Sequence, residues 1–205
     1  MADMTKIDGR VARGRRTRQA IVTALLDLVG GGDVSPSAKD IAERAGVSLR
    51  SVYQHFTDVE RLYEDASDRI FDMVLSASEE IDPEAPLERR VEEMAASRAA
   101  ALEMLAPFHR ATRLLERNSS TIRKGRETMR QWHRDRLSRI FATELAKAPD
   151  PVRQPLLGAL DTLCSSDAWE HLRTGGATVD EGRKVIEVGT AALLSSVEGR
   201  PGWLE

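Results

Sequence analysis

The chain has 205 residues, with 30 Lys and Arg against 33 Asp and Glu, a formal net charge of −3. Its one cysteine excludes a disulfide-stapled scaffold. No apolar run approaches the ~18–20 residues of a membrane helix, and the arginine-bearing start shows no secretory leader, so the expected location is the cytoplasm, with no membrane partner.

Residues 1–14 read as a polar, basic N-terminal arm. Residues 15–29 then place Ile21, Val22, Leu25, Leu26 and Val29 on one helical face, and Gly30, Gly31 and Gly32 stop that helix. Ser37 with Asp40 fits a capping box, and Pro36 after a Ser35 cap is the other reading. A short helix with Ile41, Ala42 and Ala45 inward ends at Gly46, and a second runs from Ser48 to about Phe56. A long amphipathic helix starts near Asp58, with Leu62, Ala66, Ile70, Met73 and Val74 on one face, and ends by Pro83 and Pro86.

Further helices are expected over 87–105, stopping before Pro107, over 108–117, and over an Arg-rich 120–147 ended by Pro149 and Pro151. Another covers 153–174, with Leu156, Leu160, Leu163 and Trp169. A Thr178–Glu181 capping box opens the last, with Val185, Val188, Gly189, Ala192 and Leu193 inward. No alternating strand pattern occurs. The fold class is all-α, about nine helices in total.

Two short helices joined by a tight glycine turn make a helix-turn-helix. With Val52 and Phe56 turned to the core, the second helix shows Ser48, Leu49, Arg50, Ser51, Tyr53 and Gln54 on its other face. A guanidinium can make two hydrogen bonds to guanine O6 and N7, while Tyr53 and His55 can donate to phosphates and fix the docking. The charge is unevenly spread along the chain. The first twenty residues carry six basic and two acidic side chains, residues 21–57 three and four, and residues 58–205 carry 21 and 27. A basic arm leading into a reading module suits a minor groove or phosphates.

The run Ile41-Ala42-Glu43-Arg44-Ala45-Gly46-Val47-Ser48, followed by Val52-Tyr53-Gln54-His55-Phe56 and then Asp58, Glu60 and Leu62, resembles the DNA-binding domain of the tetracycline-repressor (TetR) family. The likeness spans about residues 15–65, and Asp167-Ala168-Trp169-Glu170-His171-Leu172-Arg173 is similar to the end of many members. The pattern departs at Val59, where the family usually has a phosphate-contacting lysine, and at Asp33, where it tends to place an aromatic residue. The resemblance implies an N-terminal three-helix helix-turn-helix DNA-binding domain followed by a larger helical domain that binds a small molecule and dimerises through its last two long helices.

The expected organisation is an arm at 1–14, a DNA-binding domain at 15–57, an effector-binding and dimerisation domain at 58–199 and a tail at 200–205. The expected DNA contacts are Arg15, Arg16, Arg18, Ser37, Lys39, Ser48, Leu49, Arg50, Ser51, Tyr53, Gln54 and His55. The resemblance implies an effector cavity, for which Phe71, Met94, Arg98, Met104, Phe108, Met129 and Trp132 are the candidates, although Met and aromatic residues also fill ordinary cores. Leu156, Leu160, Leu163, Val185, Val188, Gly189, Ala192 and Leu193 are the expected dimer residues, in an isologous four-helix interface.

Residues 110–139 hold ten basic and three acidic side chains. They read as solvated faces paired with the acidic 79–93 stretch, and a patch for an acidic ligand is the other reading. His55, His109, His133 and His171 form no His-Glu-x-x-His pair, and Cys164 has no second cysteine at ligand spacing, so no metal, cofactor or catalytic residue is expected. The functional expectation is a homodimeric, ligand-responsive regulator, a repressor released from a pseudo-palindromic operator by a small molecule, and not an enzyme. The alternatives are an effector-independent DNA-binding, architectural or interaction protein, and a helical enzyme acting on a small molecule.

Overall fold

A computed structural model describes residues 2–113, 115–117 and 119–196, the side chains of residues 2–8 and 10 excepted. The expected tail at 200–205 and the side chains of Lys6 and Arg10 lie outside the described residues. The described residues form ten α-helices, one 3₁₀ turn at Leu115–Arg117 and no strand. None of these helices is long and apolar enough to cross a membrane.

The chain divides into two compact units, Met1–Asp72 with Pro107–Gly125, and Met73–Ala106 with Arg126–Glu205. The division falls inside three helices, α4 (Val59–Ala77), α5 (Leu87–Thr112) and α6 (Ser120–Ile140).

In the first unit, α1 (Ala2–Gly30) buries Ile21, Val22, Leu25 and Val29 against Ile41 and Ala42 of α2 (Ala38–Ala45), Val52 of α3 (Leu49–His55), and Leu62, Tyr63 and Ala66 of α4. Ala111 and Ile122 complete this core. The segment read as an arm is helical from Ala2, because it holds no proline and its Ala, Arg and Met residues carry the helix back from the buried part.

In the second unit, α5, α6, α7 (Ala142–Lys147), α8 (Asp150–Leu163), α9 (Ser166–Thr174) and α10 (Val179–Ser195) enclose a core with Met94, Leu102, Leu137, Phe141, Leu160, Trp169 and Ile186 at its centre. Arg90 of α5 lies buried across from Glu144 of α7. Its Nη2 donates to Oε1 at 2.7 Å and its Nη1 to Oε2 at 2.9 Å.

Three helix boundaries differ from expectation. Pro107 lies inside α5 instead of ending it. Burial of Ala111 and Thr112 just beyond it offsets the missing hydrogen bond, which in a helix interior costs about 3 kcal/mol. The Arg-rich helix breaks at Phe141 (φ −111°, ψ 27°), and beyond the break Glu144 and Leu145 join the buried set. The 153–174 segment is two helices, because the Ser165 hydroxyl accepts from Ala168 N–H at 3.1 Å and starts α9. That cap lacks an acid three residues on, and the apolar period runs straight through it.

The inward face of α10 is Gly182, Ile186, Thr190 and Leu194, not the expected one. Val185, Val188 and Ala192 are exposed, and Gly189 and Leu193 are half-buried. The buried ring of Trp169 selects this face. A Cβ at position 182 would stand 2.7 Å from Trp169 Cζ3, so only a glycine fits against it.

Candidate nucleic-acid interface

The helix-turn-helix is assembled by local chemistry. Ser37 is the N-cap of α2, which decides between the two readings of its start. Its hydroxyl accepts from Asp40 N–H at 3.2 Å, and the Asp40 carboxylate returns to Ser37 N–H at 3.1 Å. The Ser37 hydroxyl and N–H hold the Asp40 carboxyl below its usual range. Gly46 ends α2 at φ 65°, the left-handed region that favours glycine. Two residues later the Ser48 hydroxyl accepts from Ser51 N–H at 3.1 Å and caps α3.

Val52 and Phe56 anchor α3 in the core. The face left outside carries Leu49, Arg50, Tyr53 and Gln54, all exposed, with Tyr53 at 61%. Ser51 and His55 are half-buried. A Cβ built on Gly14 would stand 3.9 Å from the His55 ring, so the basic stretch of α1 passes beside the end of α3. Arg13, Arg15, Arg16 and Arg50 are exposed and form no ion pair among the described residues. Lys39 is exposed as well, 3.8 Å from Glu43. Exposed cations flanking a short polar helix suit a phosphate backbone and the base edges of a major groove.

Arg18, one of the expected DNA contacts, is also engaged within its own unit. Its guanidinium donates to both Asp65 oxygens and to the carbonyl of His55, and it lies 4.2 Å from the centre of the Phe56 ring. It thereby links α3 to α1 and α4.

No protein-family model matches the chain, and no curated protein matches it. Solved structures do. A transcriptional regulator from Rhodococcus sp. Rha1 is 16% identical with a TM-score of 0.69, over 90% of this chain and 99% of that one. A TetR-family regulator from Streptomyces coelicolor is 21% identical with a TM-score of 0.67, over 91% of this chain and 86% of that one. The multidrug binding protein EbrR, solved with imidazole, is 22% identical with a TM-score of 0.55, over 84% of this chain and 93% of that one. The chain has the TetR-family fold.

Within the TetR fold, the expected effector residues fall in both compact units. Phe71 and Phe108 belong to the first, where Phe108 and Tyr63 place their ring centres 5.9 Å apart. Met94, Arg98, Met104, Met129 and Trp132 belong to the second, with Met94 and Arg98 buried and the other three half-buried. Of the expected dimer residues, Leu156 and Leu160 are buried in the core of their own unit, Leu163 is half-buried, and Val185, Val188 and Ala192 face outward.

Four arginines of the Arg-rich stretch are engaged otherwise than with the carboxylates of 79–93. Arg130 meets Glu127, Arg126 meets Asp167, Arg134 meets Asp161, and Arg136 reaches the backbone carbonyl of Glu79. His133 and Arg136 are absent from the expected effector set, yet both are buried, and Arg136 donates to Ser97, the neighbour of Arg98 in α5. Their signal is faint in sequence, an i, i+3 pair on the same face of α6 as Leu137 and Ile140.

Proposed function

We propose that this protein is a ligand-responsive, DNA-binding transcriptional regulator of the TetR type, a homodimeric cytoplasmic repressor that leaves a pseudo-palindromic operator when a small molecule binds its helical body. The observation that carries the reading is the exposed face of α3, with Leu49, Arg50, Tyr53 and Gln54 held outward by caps at both ends of the turn. Two of the solved neighbours are described as transcriptional regulators, and a third as a multidrug binding protein.

In this reading Arg50 and Gln54 face base edges, and Leu49 meets a thymine methyl. Ser37, Lys39, Ser48, Tyr53 and His55 hold the backbone, with Arg15 and Arg16 on the flanking groove. Two copies paired through α8 and α10 space two reading helices over two half-sites. An effector releases DNA only by binding the non-matching spacing better than the DNA-bound one.

The test is a gel shift with DNA flanking the protein's own gene, repeated with a metabolite panel. Retardation of one segment well ahead of random DNA, reversed by a compound of the panel, is the expected result. Equal binding to all DNA at every salt concentration overturns the reading.

A further inference from the structure

Buried arginines in the second unit come in two kinds. Arg90 is matched oxygen for nitrogen by Glu144. Arg98, 5% exposed, is not: Nε donates to the Cys164 carbonyl at 2.7 Å, and Nη1 is buried with no hydrogen-bond partner. Arg136, 8% exposed, meets only neutral acceptors, the Ser97 hydroxyl at 3.1 Å and the Glu79 carbonyl at 2.8 Å. Ser97 is the neighbour of Arg98 in α5, so this bond brings the two guanidinium groups to the same level of the packed α5 and α6 pair. His133 lies one turn before Arg136 on α6, 2% exposed, with both ring nitrogens buried and unpartnered.

The electrostatics agree with that placement. Burial lowers Arg98 to about 10, which leaves it charged at neutral pH. Burial, and then the charges of Arg98 and Arg136, push His133 well below its ordinary range, so its imidazole is neutral, with one donor and one acceptor nitrogen. Asp161 attracts Arg98 from a distance but lies 4.0 Å from Arg134. Two buried cations without a carboxylate in hydrogen-bond contact, beside orphaned donors, are costly unless something anionic completes them.

We propose that Arg98, His133 and Arg136 form an internal anion site that takes the carboxylate of a small organic acid. Arg98 Nη1 and the imidazole N–H supply one donor for each carboxylate oxygen, which suits a carboxylate better than a phosphate dianion with more acceptors to satisfy. The Trp132 ring, 5.8 Å from the Arg136 guanidinium, supplies a flat wall for the apolar remainder. The site deepens the regulator reading by giving the chemical class of the effector, and it rests on that reading for this role alone.

The probe is sodium benzoate on the full-length protein, with benzamide, inorganic phosphate and chloride at matched ionic strength. Unfolding midpoints and titration calorimetry are the readouts. Saturable benzoate binding that raises the midpoint, with no such effect from the other three, supports the site. Arg98→Met should weaken benzoate about tenfold or more while unfolding no earlier than the parent, since it removes an unpaired buried charge. His133→Leu should weaken benzoate likewise, and it decides the matter if Arg98→Met does not fold. Absence of saturable benzoate binding, retention of it in both variants, or an equal response to phosphate or chloride overturns the site. The gel shift is scored separately: benzoate binding that leaves operator affinity unchanged supports the site and removes only its role as the effector site.

Discussion

Arg18 and Asp65 form a two-pronged ion pair, Nε to Oδ2 at 2.5 Å and Nη2 to Oδ1 at 2.8 Å, while the third arm of the same guanidinium donates to the carbonyl of His55 at 2.8 Å. One side chain of α1 thereby ties the second turn of α4 to the last turn of α3. The placement of α3 against α4 rests in part on these bonds.

Arg18→Ala should therefore lower stability by about 1–2 kcal/mol, allowing for the partial exposure of the pair, and weaken specific and nonspecific DNA binding together. Lysine should not rescue it, because a point charge cannot serve both carboxylate oxygens and the carbonyl in that geometry. Thermal unfolding followed by circular dichroism, beside DNA titrations, reads both effects.

Arg50 should behave in the opposite way. Arg50→Ala removes an exposed side chain with no ion pair among the described residues, so the unfolding midpoint should stay put. Discrimination of the operator should fall by about 1–3 kcal/mol if Arg50 meets a guanine. An equal loss on random DNA would put it on phosphate instead. Deleting residues 1–14 should flatten the salt dependence of binding, and an unchanged slope would remove those residues from the interface.

The Arg90–Glu144 pair sets a pH dependence. The hydrogen bonds from Arg90 hold the Glu144 carboxyl below its usual range. Its stabilising contribution is therefore present above the ordinary carboxylate value and is lost as pH falls through the lowered one. Arg90→Met leaves a buried carboxylate without a cation and should cost ~3–5 kcal/mol at neutral pH. Burial then raises the carboxyl instead, so the deficit should shrink as the pH is lowered towards 5. Urea midpoints at two pH values, for parent and variant, check the sign.

Two glycines of α10 should respond differently to a methyl group. At Gly182 the new Cβ meets Trp169 Cζ3 at 2.7 Å and Cη2 at 2.9 Å, in a ring only 1% exposed. Gly182→Ala should cost about 1–3 kcal/mol. At Gly189 the first atom met is Leu163 Cδ2 at 2.7 Å, on a half-buried and rotatable side chain. There the gain of about 1 kcal/mol in helix propensity should leave Gly189→Ala near neutral by urea unfolding.

Val188, 56% exposed, and Val185, 40% exposed, lie on the outer face of α10. If that face pairs two copies, replacing both with aspartate should yield folded monomers on sedimentation. Leu160→Asp should unfold the protein instead, because Leu160 is fully buried in its own unit.

How much of this is legible along the chain depends on the range of the forces involved. The all-helical class, the caps at Ser37 and Thr178, the left-handed turn at Gly46 and the outward face of α3 follow from the order of residues, because caps and the 3.6-residue period act within one or two turns. The partition of charge between the basic first twenty residues and the acidic body is likewise plain in the sequence. The engagement of Arg18 with Asp65, the passage of α5 through Pro107, the break at Phe141 and the inner face of α10 are not. Each depends on what a distant segment presents: a carboxylate 47 residues away, or an indole ring that leaves room only for a glycine. The same holds for Arg98 and His133. A sequence shows that a side chain carries a donor, but whether that donor is answered depends on what packs around it.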